Sequence, residues 1–338
     1  VDILQQIIDS YSGYADYLWK DITLQNPRGF WGSYFWLLVT VSGFFFVLEA
    51  AIPWRKNQKV FRKDFWLDFF YMFFNFFIFN LIIFGVGSDF FVRMFNNLML
   101  WISAVDLQAL NPMSDWPLWA ILLTGFIVRD FVQWWTHRLL HRSSRLWEFH
   151  KVHHSVKEMG FAAHLRYHWM ETLVYRSIEY IPLALLGVGL HDFFLIHIFT
   201  LAWGHYNHAN ISIPTTVTGA VLSGLVATFI LTTTLSLPIL ETALWIVGSV
   251  VLGAFILSRV MKYIFNSPEM HIWHHAEEWP DDLEHGINFG LTLAIWDYIF
   301  GTARIPHDGR DIELGFENVE RFPSGFVSQV FYGFGKHK

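Results

Sequence analysis

The chain has 338 residues, 54% apolar and 19% aromatic but only 15% charged, where soluble domains carry about a quarter charged residues; this is the balance of an integral membrane protein. It contains no cysteine, which excludes thiolate zinc sites, iron–sulfur clusters, thiolate-ligated haem and disulfides. The net charge of −6 is mild, and without a basic stripe or an RNA-binding motif no nucleic-acid partner is expected.

In chain order, residues 1–20 place Ile3, Leu4, Ile7, Ile8, Tyr11 and Leu18 at helical intervals, which predicts an amphipathic helix on the membrane surface. Residues 1–32 lack a basic start followed by an apolar core, so no cleavable signal peptide is expected. Stretches at 33–52, 66–87, 116–136 and 215–258 are long enough to span, at about 20 residues per crossing. The last is a hairpin broken near Leu237 and Pro238. The stretch 178–204 is interrupted by GVGLHD at 187–192. Its halves are too short to cross singly, and a re-entrant hairpin is predicted. Residues 53–64 carry five Lys/Arg against one acid, and 129–158 are also rich in Lys/Arg, whereas 1–32 and 88–115 are poor in them. The positive-inside rule then places 53–64 and the region of the first two histidine clusters in the cytoplasm, and the parity of the spans brings the third cluster to the same face. The expected fold is an all-α polytopic membrane protein of helical hairpins with a cytoplasmic histidine-rich cap. It forms one domain over 1–338: an interfacial segment (1–32), transmembrane helices (33–136), a histidine-box region (137–214), an inserted hairpin (215–258), and a last box with a tail (262–338).

The histidines carry the chemistry. They cluster as HRLLH at 137–141, HKVHH at 150–154 and HIWHH at 271–275, with outlying candidates at His168 and His208. Residues three and four apart share a helix face, so each cluster aims two or three imidazoles at one point. Their protonated forms would repel, which argues for metal ligation. A single metal takes four to six ligands, and two metals sharing about ten histidines is the natural count. Zinc as a structural pair fits the donor type; histidine-only sites with open positions suit iron that binds oxygen. His191, His197, His285, His307 and His337 read as capping or interfacial residues.

These blocks resemble the fatty acid hydroxylase/sterol desaturase superfamily of membrane di-iron enzymes, whose signature is HxxxH, HxxHH and a second HxxHH. The surrounding RDFVQWWTHRLLHRSSRLWEFHKVHHS (129–155), LRYHWME (165–171), NHANI (207–211), SPEMHIWHH (267–275) and INFGLTLAIWDYIFGTARIP (287–306) carry the likeness further. The resemblance implies two irons (zinc being the alternative metal as isolated) held by His137, His141, His150, His153, His154, His168, His208, His271, His274 and His275. His164 competes with His168, and His205 with His208, being within helical reach. Asp130 lies two turns before His137 and either supports that ligand or pairs with Arg129. Asn288 and Asp297 are further candidates to support ligands, Asp297 having a helix or turn cap as its other reading. The segment 215–258 departs from the family pattern, with three aromatics and one charge, Glu241; it is expected to pack outside the metal site.

The expected function is oxygen-dependent hydroxylation or desaturation of a membrane lipid such as a sterol or fatty acyl chain, with an apolar cavity presenting one carbon. No nucleotide-binding glycine loop is present, so a separate electron-donor protein is implied, docking on the cytoplasmic face of a bacterial inner membrane or endoplasmic reticulum. A histidine-rich metal transporter and a membrane cytochrome are the alternatives; they need ligands within the spans or paired at mid-span.

Overall fold

The computed structural model describes residues 3–79, 97–98, 100–101, 112–211, 213–235, 237–280 and 282–335. The expected loop 88–115 and the end of the stretch 66–87 lie largely outside them. The described residues are mostly helical and contain no strand, only isolated bridges such as Pro53 with Ile211.

The N-terminal helix α1 (Ile3–Ile22) is fastened to α2 (Tyr34–Ala51) by polar contacts. Buried Asp21 accepts from the Phe35 backbone N–H (2.9 Å), and Ser33 both donates to the Asp21 carbonyl and caps α2 through Trp36 N. Helix α3 (Phe65–Phe73) continues through a π turn at Phe74–Ile78. Then follow α4 (Leu118–Arg142) and α5 (Ser144–His154), hinged at Ser143, whose hydroxyl accepts from Leu146 N as the α5 cap.

The predicted re-entrant hairpin is built from helices longer than its apolar halves: α6 (Trp169–Leu186) and α7 (Leu190–His208). The break falls at Gly187, which adopts φ +73°, as a glycine readily does. Each helix extends beyond the apolar stretch because its polar end runs into the histidine region. His208 closes α7, and Glu171 sits in the first turn of α6.

Three described helices are long and apolar enough to cross a membrane: α2, α8 (Thr215–Thr234) and α9 (Ile239–Ile264). The predicted hairpin is therefore α8 and α9, with α9 running past 258 through a π turn at Gly253–Leu257. The two helices pack closely on small residues: a Cβ on Gly219 or Gly253 would strike the other's carbonyl oxygen, the small-residue packing that membrane helices favour. The hairpin meets the rest of the protein through Leu222 and Met261 against Trp203 of α7, while Ile239, Leu240, Leu244 and Trp245 point outward. The stretch 116–136 is helical within α4 but carries buried Arg129 and Asp130. The last box forms α10 (Pro268–His274), capped by Ser267, whose hydroxyl accepts from Met270 N. Short helices α11 (Ile295–Ile299) and α12 (Phe326–Val330) complete the described chain.

The glycine contact yields a test. Gly253→Leu should lower the thermal stability of the detergent-solubilised protein by about 1–3 kcal/mol, the cost of overpacking, while metal content measured by elemental analysis stays at the wild-type level.

Candidate metal centre

Two groups of imidazoles lie side by side. Ligand nitrogens of His137, His141, His150, His154 and His274 fall within 4.8 Å of one another, as do those of His153, His208, His271 and His275, and every residue in both groups is buried. Helix α4 supplies His137 and His141 at i and i+4. Each HxxHH box divides between the groups, rather than aiming at one point. In α5 the i,i+4 pair His150 and His154 serves the first group and His153 the second. In the last box the sense reverses: the i,i+4 pair His271 and His275 serves the second and His274 the first. One helical turn of each box thus spans both sites.

Most of these rings are aimed from behind. Nδ1 of His137 lies 2.8 Å from the Phe289 carbonyl, that of His274 2.8 Å from the Ile287 carbonyl, that of His153 3.0 Å from the Arg166 carbonyl and that of His208 2.8 Å from the Gly204 carbonyl. A carbonyl only accepts, so each Nδ1 carries the proton and each Nε2 presents a bare lone pair. His150 Nδ1 meets the Glu171 carboxylate at 2.8 Å.

The consequence decides what fits here. His153 Nε2 and His208 Nε2, both lone pairs, face each other at 3.3 Å. His137 Nε2 stands 3.1 Å from His150 Nε2, and His154 Nε2 3.1 Å from His274 Nε2. Both ring nitrogens of His141 and of His275 are buried with no hydrogen-bond partner, which costs about 1–3 kcal/mol for each unsatisfied atom. Burial pulls His150 and His153 down to about 3 and His274 and His275 well below the usual imidazole range, so the rings are neutral. Neutral lone pairs converging at this spacing fit a cation, and a nitrogen-only set of five and four fits two.

His168 stands apart from both groups. Its Nε2–H donates to the Val330 carbonyl at 2.7 Å, and its Nδ1 accepts from Met170 N–H at 3.1 Å. It is the N-cap of α6, with Glu171 Oε1 accepting from its backbone N–H in the manner of a capping box. Both ring nitrogens are engaged by the backbone, and neither is turned towards the two imidazole groups. His164 and His205 form a second layer: His164 Nδ1 meets His205 Nδ1 at 3.0 Å, and His205 Nε2 meets Ser42 Oγ at 3.0 Å. The His164 ring lies 5.2 Å from that of His208.

Asp130 touches neither a clustered histidine nor Arg129 in hydrogen-bond range. It accepts from Thr292 N, Leu293 N and Trp296 Nε1. Asp297 accepts from Phe289 N, Gly290 N, Trp134 Nε1 and Thr302 Oγ1. Asn288, at φ +55°, donates to the Met270 and Arg304 carbonyls and accepts from Arg304 N. All three hold the segment 287–297, whose alternate carbonyls Ile287 and Phe289 aim His274 and His137. Their support is therefore relayed through main chain. Glu171 was not singled out from the sequence; its signal was the acid three residues after His168 at a helix start.

A cavity of about 150 Å³ opens between α4, α6 and α7. His137, His150, His153, His208 and His271 line one part of it, and Arg129, Gln133, Arg176 and Glu179 another. An apolar cavity was expected; the exposed lining of this one is mostly apolar, with charged side chains from α4 and α6 set into its wall. His197, read from sequence as an interfacial residue, is inside it, with Nδ1 3.4 Å from Arg129 and Nε2 3.3 Å from the Tyr34 hydroxyl.

A family model described as fatty acid hydroxylase matches residues 122–228. An ornithine lipid hydroxylase of Rhizobium tropici is 26% identical over 223 residues, 66% of this chain and 53% of that protein. A very-long-chain aldehyde decarbonylase of Oryza sativa subsp. japonica is 36% identical over 77 residues, 22% of this chain and 25% of that protein.

These matches bear out the fatty acid hydroxylase/sterol desaturase superfamily.

The chain spans about half the length of the first relative and a quarter of the second. No solved structure matches. The family match takes in the first two boxes and His208 but ends before the third box, at 271–275, which the fold carries into both imidazole groups.

The geometry separates residues that sequence spacing had pooled. His141→Ala and His275→Ala should each lower bound metal from about two per chain towards one, whereas His168→Ala should leave metal content unchanged and only reduce thermal stability; elemental analysis of protein from iron-replete cells checks both. Glu171→Ala, which strips His150 of its acceptor, should weaken metal retention about 10–100-fold under chelator challenge.

Proposed function

We propose that the protein oxidises a C–H bond of a membrane lipid, using molecular oxygen and two irons held by the nine clustered histidines. The observation that carries this reading is the pair of converging lone-pair sets, made of nitrogen alone. Irons bound there would supply oxygen activation, which needs open positions and electrons rather than an acid–base dyad. The chain's own part is to fix ligand tautomers through the four carbonyls and Glu171, to exclude bulk water by burying every ligand, and to hold the reacting carbon beside His137, His150 and His208 in the cavity.

Support comes also from the relatives' names, one a lipid hydroxylase and one an aldehyde decarbonylase. A transporter would distribute ligands along a path through its spans, and a haem protein would oppose two histidines at mid-span; here the histidines are pooled in one place. Electrons come from a separate donor protein. The loop charges favour a cytoplasmic metal face, in a bacterial inner membrane or the endoplasmic reticulum.

Purified protein with a reducing partner and ¹⁸O-labelled oxygen gas should convert a membrane lipid to an oxidised product. A hydroxylase places the label in the alcohol; a desaturase leaves it in water. Turnover that persists unchanged without oxygen would overturn the proposal.

A further inference from the structure

Beyond the last histidine box the chain returns to the imidazole groups from outside. Residues 326–334, which hold α12 and the turn after it, touch three elements at once. The Phe326 ring packs edge-to-face against Phe70, Tyr71 and Phe74 of α3, with centres 4.7, 5.0 and 4.6 Å away. The Val330 carbonyl accepts from His168 Nε2–H at 2.7 Å and from Trp169 Nε1–H at 3.0 Å, at the start of α6. Gly333 (φ +88°) runs so close over Phe149 of α5 that a Cβ there would lie 2.6 Å from its ring. Phe334 then covers the rings of Phe149 at 5.1 Å and Trp169 at 5.7 Å.

The contacts on α5 and α6 fall on the supports of His150. Phe149 precedes it on α5. Glu171, in the first turn of α6, meets His150 Nδ1 through Oε2 at 2.8 Å and accepts from the His168 backbone N–H through Oε1 at 3.1 Å. The carboxylate that aims His150 is therefore placed by a helix end. That is the least self-supporting part of a helix, because its first amides have no partner within it. Here the His168 ring takes the Met170 amide and the His168 carbonyl takes the Glu171 amide. The Val330 carbonyl holds the His168 and Trp169 rings in turn.

The segment owes its shape to these contacts. Helix α12 has five residues, too few to be helical alone. It is fastened on one face. Val327 and Phe331 are 67% and 69% exposed and turn away from the protein, whereas Gln329 is fully buried and donates through Nε2 to the Pro323 carbonyl at 2.7 Å. Such a segment docks or leaves as a unit, at a free energy below that of unfolding the whole protein.

We propose that residues 326–334 are a strap that positions His150. Docked, the strap holds the first turn of α6, so that Glu171 keeps its grip on His150 Nδ1 and the ring presents Nε2 to the first imidazole group. Lifted, it lets that turn fray and frees the ring to rotate. Phe326 is the anchor, on α3, and Val330 to Phe334 bear on α5 and α6. They are positioning residues, acting on His150 through Glu171. The His168 ring is one contact among several, and Trp169 shares its carbonyl, so the strap stays docked without that ring. This rests on the two-metal reading of the histidines and not on lipid oxidation.

The test uses the full chain in detergent, iron-loaded and metal-free, well below its unfolding transition. Iron release to excess chelator is timed, and amide hydrogen exchange is read by mass spectrometry. Phe326→Ala should release iron about tenfold faster, the lower end of what losing a ligand's support costs. In the metal-free protein it should raise exchange at 148–152 and 168–172 and leave α8 and α9 as in the wild type. Phe326→Leu, which keeps most of the apolar bulk, should restore both readouts. Phe334→Ala, at a site 55% exposed, should act in the same direction more weakly, and it carries the test if Phe326→Ala does not fold. Val327→Ala and Phe331→Ala, on the outward face, should change neither readout. Exchange rising in all helices alike would make Phe326 an ordinary packing residue and overturn the proposal. So would exchange confined to 326–335 with iron release unchanged, or a Val327→Ala variant that matches Phe326→Ala. If the wild type retains no metal while exchange at 168–172 still follows the strap, the metal reading fails and the strap's hold on Glu171 stands. If iron is retained and its release ignores the strap, the metal reading stands and this proposal fails.

Discussion

Two imidazole lone pairs held 3.3 Å apart, as at His153 and His208, repel one another, and much of the surrounding structure serves to keep them there. The ring of His153 is aimed by the Arg166 carbonyl, so Arg166 itself must be fixed. Its guanidinium is bound by Asp64 at 3.0 Å, Asp68 at 3.1 Å and the Ser155 hydroxyl at 2.9 Å. Asp68 is fully buried and also takes Arg62 at 2.7 Å. An ion network on α3 thus sets the tautomer of a histidine on α5. Removing one partner of such a network leaves a charge uncompensated, and here the cost would be passed through a carbonyl to the imidazole group.

The same logic operates on the opposite side through main chain rather than charge. Ile287 and Phe289 flank Asn288, whose left-handed φ of +55° turns the chain between their two carbonyls. They meet His137 from α4 and His274 from α10. The stretch has no ladder to hold it. Asp297 and Asp130 act as the ladder instead, accepting four backbone N–H groups between them, from Thr292, Leu293, Phe289 and Gly290. Two buried carboxylates without a salt bridge are tolerable here because each is surrounded by donors.

The helices and the ligand boxes were legible in the sequence because both are written in short-range periodicity. The histidine spacing named eight of the nine residues that converge, and the resemblance supplied His208. It could not say how each box divides between two groups, because that depends on how α5 and α10 are turned against each other. His168 stands apart for a definite reason: a histidine at a helix start makes a good cap, and its spacing from the second box carries no helical register through 155–167. Glu171 was hidden because its role is to support a ligand from a distant turn. The carbonyls of residues 166, 204, 287 and 289 have no side-chain signature at all. The charged side chains in the cavity wall were missed since Arg129, Arg176 and Glu179 come from two helices and each, taken singly, reads as an interfacial charge.

That last arrangement inverts the distribution found in a soluble protein. Side chains such as Ile239, Leu240 and Trp245 face outward on the α8–α9 hairpin, while Arg129 and Glu179 are buried between α4 and α6. In a bilayer the outward face costs nothing, because lipid is as apolar as the side chains, and an ionisable group belongs inside the bundle. Packing hydrophobic side chains at 129 and 179 would fill the same space at no desolvation cost. Stability alone therefore gives no reason for charge at this place. They line the same cavity as His137, His150, His153, His208 and His271, and an ionisable group kept inside a membrane bundle at a cost to stability marks a place where such a group has a task.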